Sequence, residues 1–179
     1  MRRVPPSDYD DEMATMNSFD ITSEVDMQEV DNAINQARKE VAQRYDFKGS
    51  PATIELDPKT KTMTLTAEDK FKVGALWEIV QTRMVRRNVP VKNLKAGEVE
   101  PASAGTVRQV FTLQVGIPTE TAKEIVKFLK DAKLKKVQAS IQGDQLRVTS
   151  NSKDDLQDAM RVLREHDFGV ALQFGNYRS

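Results

Sequence analysis

Arg44 to Ser50, RYDFKGS, gathers two basic side chains, aromatic rings, a glycine and a hydroxyl into seven residues. Such a set can hold a phosphate. Basic heads pair with its oxygens, a glycine lets backbone approach it, and a hydroxyl donates to it. Most of the stretch also has a structural explanation. Tyr45 continues the apolar stripe of the preceding segment, and Gly49 suits the left-handed residue that stops a helix. Asp46-Phe47 returns as Asp167-Phe168, before Gly169, so Phe47 and Phe168 read as plugs at two helix–sheet junctions. Lys48 has no counterpart in the second copy and is the candidate ligand contact of this loop.

Other chemistry is sparse. The chain has no cysteine and one histidine, His166. That excludes disulfides, thiolate nucleophiles and zinc ribbons, and leaves no basis for an imidazole metal site or a histidine-centred triad. His166 closes a helix, where an imidazolium is favoured by the helix dipole. There is no glycine-rich phosphate loop of the Walker or Rossmann type. Carboxylates are plentiful but none stands in a recognisable acid–base pair, so the expectation is a protein that is not an enzyme and needs no cofactor or metal. Arg83, Arg86 and Arg87, with Lys92 and Lys95 close by, carry forks that match phosphate. They also occupy a helix C-terminus, where cations are favoured in any case. Lys123, Lys127 and Lys130, beside Glu120 and Glu124, read as a solvated helix face.

Bulk properties frame these groups. In 179 residues, 39% are apolar and 30% charged, with a formal net charge of zero. A core is affordable, and no global field draws the chain to nucleic acid or an anionic membrane. No apolar run approaches the ~20 residues of a membrane span. The N-terminus, MRRVPPSDYDDEMATM, lacks the apolar centre of a signal peptide, so a cytoplasmic protein is expected. Residues 1–15 read as a disordered acidic tail, with Met16 a candidate start.

The elements that must position these residues follow from periodicity and punctuation. Phe19–Val25 alternates as a strand. Asp26 caps a helix with Val30, Ala33, Ile34, Ala37, Val41 and Tyr45 on one stripe, and Glu29 stands in capping-box position. Strands ATIELD and TMTLT flank the turn DPKTK. A second helix from about Asp69 to Arg87 buries Val73, Leu76, Trp77, Val80 and Met84, and VKNLKAGEV returns as a strand before the polar linker EPASAGT. The order then repeats: strand VRQVFTLQV, a helix opened by Pro118 and Thr119, a hairpin of VQASIQ and QLRVT around Gly143-Asp144, a helix capped by Ser152, and a final strand VALQF. Each half is strand–helix–strand–strand–helix–strand. The expected fold is therefore α+β, two tandem ferredoxin-like (βαββαβ) domains over 16–100 and 101–179. Each has a four-stranded antiparallel sheet with two helices on one face.

The opposite sheet faces are predictable. They carry Thr53, Glu55, Thr62, Thr64 and Thr66; Arg108, Val110, Thr112 and Gln114; and Gln138, Ser140, Gln142, Gln145, Arg147 and Thr149. None is aromatic, so the base-stacking platform of an RNA-recognition module is absent. Hydroxyl, amide and guanidinium groups suit hydrogen bonding to a base edge instead, arginine to guanine being the best geometric match.

Four stretches carry a resemblance. SFDITSEVDMQEVDNAINQARKEVAQRYDFKGS is similar to the N-terminal signature of the bacterial YajQ family, and EPASAGTVRQV, IQGDQLRVTSNSKDDLQ and DFGVALQFGNYR resemble its later blocks. The similarity spans about Met16 to Ser179. It implies that the first strands are exchanged, residues 19–25 completing the second domain's sheet and 107–115 the first's. It also implies nucleotide binding: members are described as binders of nucleotides or RNA, and some as cyclic diguanylate receptors that signal through a partner, often a transcription regulator. On this reading Lys48, Lys153 and Arg178 hold phosphates while Arg108 and Arg147 read base edges, with cyclic diguanylate, GTP or ATP as ligand. Alternatives are an RNA-binding module acting on tRNA or rRNA and a protein–protein adaptor. Two departures stand out: Tyr177 occupies a position where the family usually has Phe, and SNSKDD carries fewer cations than in its more basic members.

Overall fold

Helix starts are set by side chains that accept the free N–H groups of a first turn. Asp26 Oδ1 accepts from the N–H of Gln28 and Glu29 at 3.0 and 3.4 Å, Asp69 Oδ1 from that of Lys72 at 2.8 Å, and Ser152 Oγ from that of Asp155 at 3.2 Å. The computed structural model describes residues 16–179, and the expected acidic tail lies outside them. Its elements are β1 (Asn17–Thr22), α1 (Met27–Gln43), β2 (Thr53–Asp57), β3 (Thr62–Ala67), α2 (Lys70–Arg86), β4 (Leu94–Pro101), β5 (Val107–Leu113), α3 (Thr119–Asp131), β6 (Gln138–Gln142), β7 (Gln145–Ser150), α4 (Lys153–Arg164) and β8 (Gln173–Arg178).

The strands form two antiparallel four-stranded sheets, ordered β2-β3-β5-β4 and β6-β7-β1-β8. The chain divides into two compact units to match: Val25–Val115, and residues 16–24 together with Gly116–Ser179. A division into the consecutive segments 16–100 and 101–179 would cut through the first sheet. β1 is an interior strand of the second unit's sheet, and β5 one of the first's.

Each unit has its own core on the helix side of its sheet. In the Val25–Val115 unit, Val30, Ala33, Ile34 and Ala37 of α1 and Val73, Leu76, Val80 and Met84 of α2 close over Met63, Leu65 and Phe111. Trp77 is partly buried and stacks on Phe111, with ring centroids 4.2 Å apart. In the other unit, Phe19 and Ile21 of β1 are fully buried among Ile125, Leu146, Val148, Ala159 and Leu163. The plugs fall where expected: Phe47 and Phe168 are 5% and 6% exposed.

Three details differ from the sequence reading. Tyr45 does not continue the α1 stripe and is 89% exposed. Arg44 leaves the helical region at ψ 131°, and the following 3-10 turn, Tyr45–Phe47, rotates Phe47 inward and Tyr45 out. Glu29 does not close a capping box but pairs with Arg87 of the neighbouring helix end at 3.2 Å. The last strand begins at Gln173 rather than Val170, because its ladder partner β1 ends at Thr22, opposite Gln173. Val170 is buried in the core instead.

Because β1 is interior to a sheet whose other strands come from the far half of the chain, a fragment of residues 116–179 is expected to be unfolded alone. A synthetic peptide of residues 16–25 should restore its structure. Circular dichroism of the fragment with and without peptide checks this; a fragment that folds unaided refutes it.

Candidate ligand-binding site

The register places the outward groups in rows across the first sheet. Thr66 lies beside Arg108 and Arg108 beside Glu100, while Thr62 lies beside Thr112 and Thr112 beside Lys95. Arg108 is exposed, but its Nε donates to Glu100 Oε1 at 2.9 Å, so the fork expected to read a base edge already holds a carboxylate. On the second sheet Arg147 meets the same fate. It faces Asp20 across β1 and β7, and its Nε donates to Asp20 Oδ1 at 3.0 Å.

Asp20 is 6% exposed and has a second partner. Opposite β1, the register of β8 shifts between Ser18 and Asp20. Asn176 in that bulge takes φ 53°, a left-handed value that asparagine tolerates. Its Nδ2 then donates to Asp20 Oδ2 at 2.6 Å. The Arg147 hydrogen bond, against the opposing effect of burial and with help from Asn176, holds the Asp20 carboxyl below its ordinary range. Sequence reasoning missed Asp20 and Asn176. Both look like ordinary strand and turn residues until β1 is laid between β7 and β8.

Two of the expected phosphate holders come together. Lys153, the first residue of α4, and Arg178, the last of β8, line one cavity of about 170 Å³ with Asn17, Ser18, Gln157 and Tyr177. Tyr177 is 59% exposed; one side of its ring approaches Phe19, with centroids 6.4 Å apart, and its Oη donates to Met160 Sδ at 3.5 Å. Asn17 and Ser18 arrive through β1, from the opposite end of the sequence.

Lys48 lines a separate cavity of about 550 Å³ in the Val25–Val115 unit, with Arg38, Phe47, Gly49, Thr53 and Glu55 among its walls. The RYDFKGS loop is rigidly tied. Arg44 grips Asp46 through Nε and Nη2 at 3.0 and 2.9 Å, and Lys72 donates to the Asp46 carbonyl while lying over the Phe47 ring at 4.7 Å. Gly49 takes φ 74° with open space around it, so the turn shape demands glycine there. Lys48 is left exposed and without an ion pair among the described residues. Two of the three arginines around the end of α2 are otherwise engaged: Arg83 pairs with Glu40 at 2.7 Å and Arg87 with Glu29 at 3.2 Å. Among the described residues there is no cluster of carboxylates or imidazoles fit for a metal, and no helix long and apolar enough to cross a membrane.

Because the folded Asp20 carboxyl titrates below its ordinary value, its stabilising contribution is complete above the unfolded carboxylate pKa of about 3.9. It is lost as pH falls through the lower folded value. Asp20→Asn is expected to cost about 1–2 kcal/mol at neutral pH, less than a fully buried charged bond because Arg147 is partly exposed. The deficit should shrink as acid protonates the wild-type carboxyl. Urea unfolding of both proteins at neutral pH and near pH 3 measures this; an equal deficit at both would refute it.

The family model described as "Nucleotide-binding protein YajQ-like" matches residues 17–178. A protein of Acidithiobacillus ferrooxidans is 52% identical over 91% of this chain and 99% of its own. One from a Geobacter species is 53% identical over 92% of this chain and all of its own. One from Carboxydothermus hydrogenoformans is 49% identical over 93% of this chain and all of its own. All three are called nucleotide-binding proteins. With the match running from the start of β1 to the end of β8, the chain belongs to the YajQ-like family of nucleotide-binding proteins.

Proposed function

We propose that this chain binds a nucleotide without transforming it, and that Lys153, Arg178 and Tyr177 hold it. One observation carries the reading: two cations far apart in sequence converge with an exposed aromatic ring on one cavity. The cations suit phosphate oxygens, and a base against the Tyr177 ring would gain about 1–3 kcal/mol from stacking. The cavity, about 170 Å³, lies below the usual ligand-pocket range of about 300–1,000 Å³. It therefore takes one part of a nucleotide and leaves the rest on the surface.

Lys48 is the phosphate contact of a second candidate position, the cavity of about 550 Å³ that has room for a whole mononucleotide. Arg108 and Arg147 are the weaker assignments. To read a base edge, each would exchange the carboxylate it now holds, Glu100 or Asp20. Cyclic diguanylate, with two phosphates and two guanines, GTP and ATP are the ligands to compare. A cytoplasmic receptor that relays its bound state to a partner, such as a transcription regulator, is the cellular role we assign.

Calorimetry with the three nucleotides tests the reading. Binding of at least one is expected, and Lys153→Ala/Arg178→Ala should weaken it by about tenfold or more, since a charge-assisted contact contributes about 1.5–3 kcal/mol. If Lys48→Ala weakens binding and the double variant does not, the ligand belongs in the other cavity. No heat with any of the three at high micromolar protein removes the proposal. A steep fall of affinity with salt for a single-stranded RNA would point to the polynucleotide instead.

A further inference from the structure

The two sheets expose four edge strands, β2, β4, β6 and β8, and three of them are blunted. Arg38 covers the outer edge of β2, its Nε and Nη2 donating to the Ile54 carbonyl at 2.9 and 2.7 Å. β4 breaks register between Ala96 and Val99, carries Lys95, Glu98 and Glu100, and ends in Pro101. β8 carries the Asn176 bulge and ends in Arg178. Bulges, prolines and edge charges are the devices that prevent one sheet from joining another.

β6 has none of them. Its sequence, QASIQ, is free of charge and proline, and its register with β7 is unbroken from Gln138 to Gln142. Gln138, Ser140, Ile141 and Gln142 are exposed, Ile141 at 41%. The hairpin turn is a tight two-residue one, Gly143 supplying φ 64°. Gln142 and Gln145 therefore form the hydrogen-bonded pair that closes it, and by alternation so do Ser140 and Arg147. The N–H and C=O groups of Ala139 and Ile141 consequently point away from β7, toward solvent.

We infer that β6 is the self-association edge of this protein: two copies pair β6 with β6 antiparallel about a two-fold axis at Ser140, joining their sheets. The strand is self-complementary in that register. Ala139 meets Ile141 of the partner subunit through about four backbone hydrogen bonds, and the row of Gln138, Ser140 and Gln142 meets its own neutral image without like-charge contact. The flanks match as well. Lys136 precedes the strand and Asp144 follows it; both are exposed, and neither has an ion pair among the described residues. The two-fold register brings each Lys136 to the turn carrying Asp144 of the partner subunit, so opposite charges meet at both ends. A single strand per subunit makes a small interface, so the dimer is weak and concentration-dependent.

Sedimentation of the full chain from low to high micromolar tests this. The mass is expected to climb toward that of a dimer. Ser140→Lys and Ser140→Glu each place like charges on the axis and should abolish the climb, while an equimolar mixture of the two should restore it. Hydrogen exchange on the unaltered protein gives a reading independent of how the variants fold: the Ala139 and Ile141 amides should slow in step with the dimer fraction. A chain that stays monomeric at high micromolar overturns the inference. So do variants that associate as the wild type does, or Ala139 and Ile141 amides whose exchange ignores concentration.

Discussion

The insertion of β1 between β7 and β8 is the constraint on which much else in this protein rests. β1 lies near the start of the chain and its partners near the end, so the second unit closes only after a long loop has been closed, at an entropic cost that grows slowly with length. Phe19 and Ile21, both at 0% exposure, are what repay that closure. The same strand carries Asp20 to Arg147 and Asn176, and Asn17 and Ser18 to the cavity that holds Lys153 and Arg178. One strand thus completes the core, fixes a nearly buried carboxylate and supplies a wall of the candidate site.

Part of the charge balance is local. Arg44, Arg83, Arg87, Arg108 and Arg147 each hold a carboxylate within 3.2 Å. The exposed pairs contribute little to stability, about 0–1 kcal/mol each; Asp20–Arg147, whose carboxylate is nearly buried, is the exception. Their larger effect is on what the surface offers to an anion. Guanidinium forks are used to tie helix to helix and strand to strand, so these arginines present less free charge to a ligand than Lys48, Lys153 and Arg178, which have no ion pair among the described residues.

Much of the architecture was legible because it is written in local code. Asp26, Asp69 and Ser152 cap helices, the 3.6-residue stripes mark the buried faces, and Gly143-Asp144 marks a hairpin. The echo of Asp46-Phe47 in Asp167-Phe168 marked two buried plugs, 5% and 6% exposed. Tyr45 was misread because periodicity carries no sign of where backbone leaves the helical region, and one residue, Arg44, at ψ 131° turns Tyr45 out to solvent.

The candidate site divides along the same line. That Lys48 is a cation without a structural duty can be read from the unequal copies, whereas Lys153 and Arg178 were assigned on the family resemblance. That Lys153 and Arg178 share a cavity with Tyr177, and that Arg108 and Arg147 are bound to Glu100 and Asp20, cannot. Residue order alone determined twelve elements of helical or extended habit and the polarity of each face, since period and capping act within a few residues. Which strand lies beside which, and therefore which charges meet, was decided only when strands from opposite ends of the chain paired. Backbone hydrogen bonds between strands are the same for every sequence, and only the packed core selects among them.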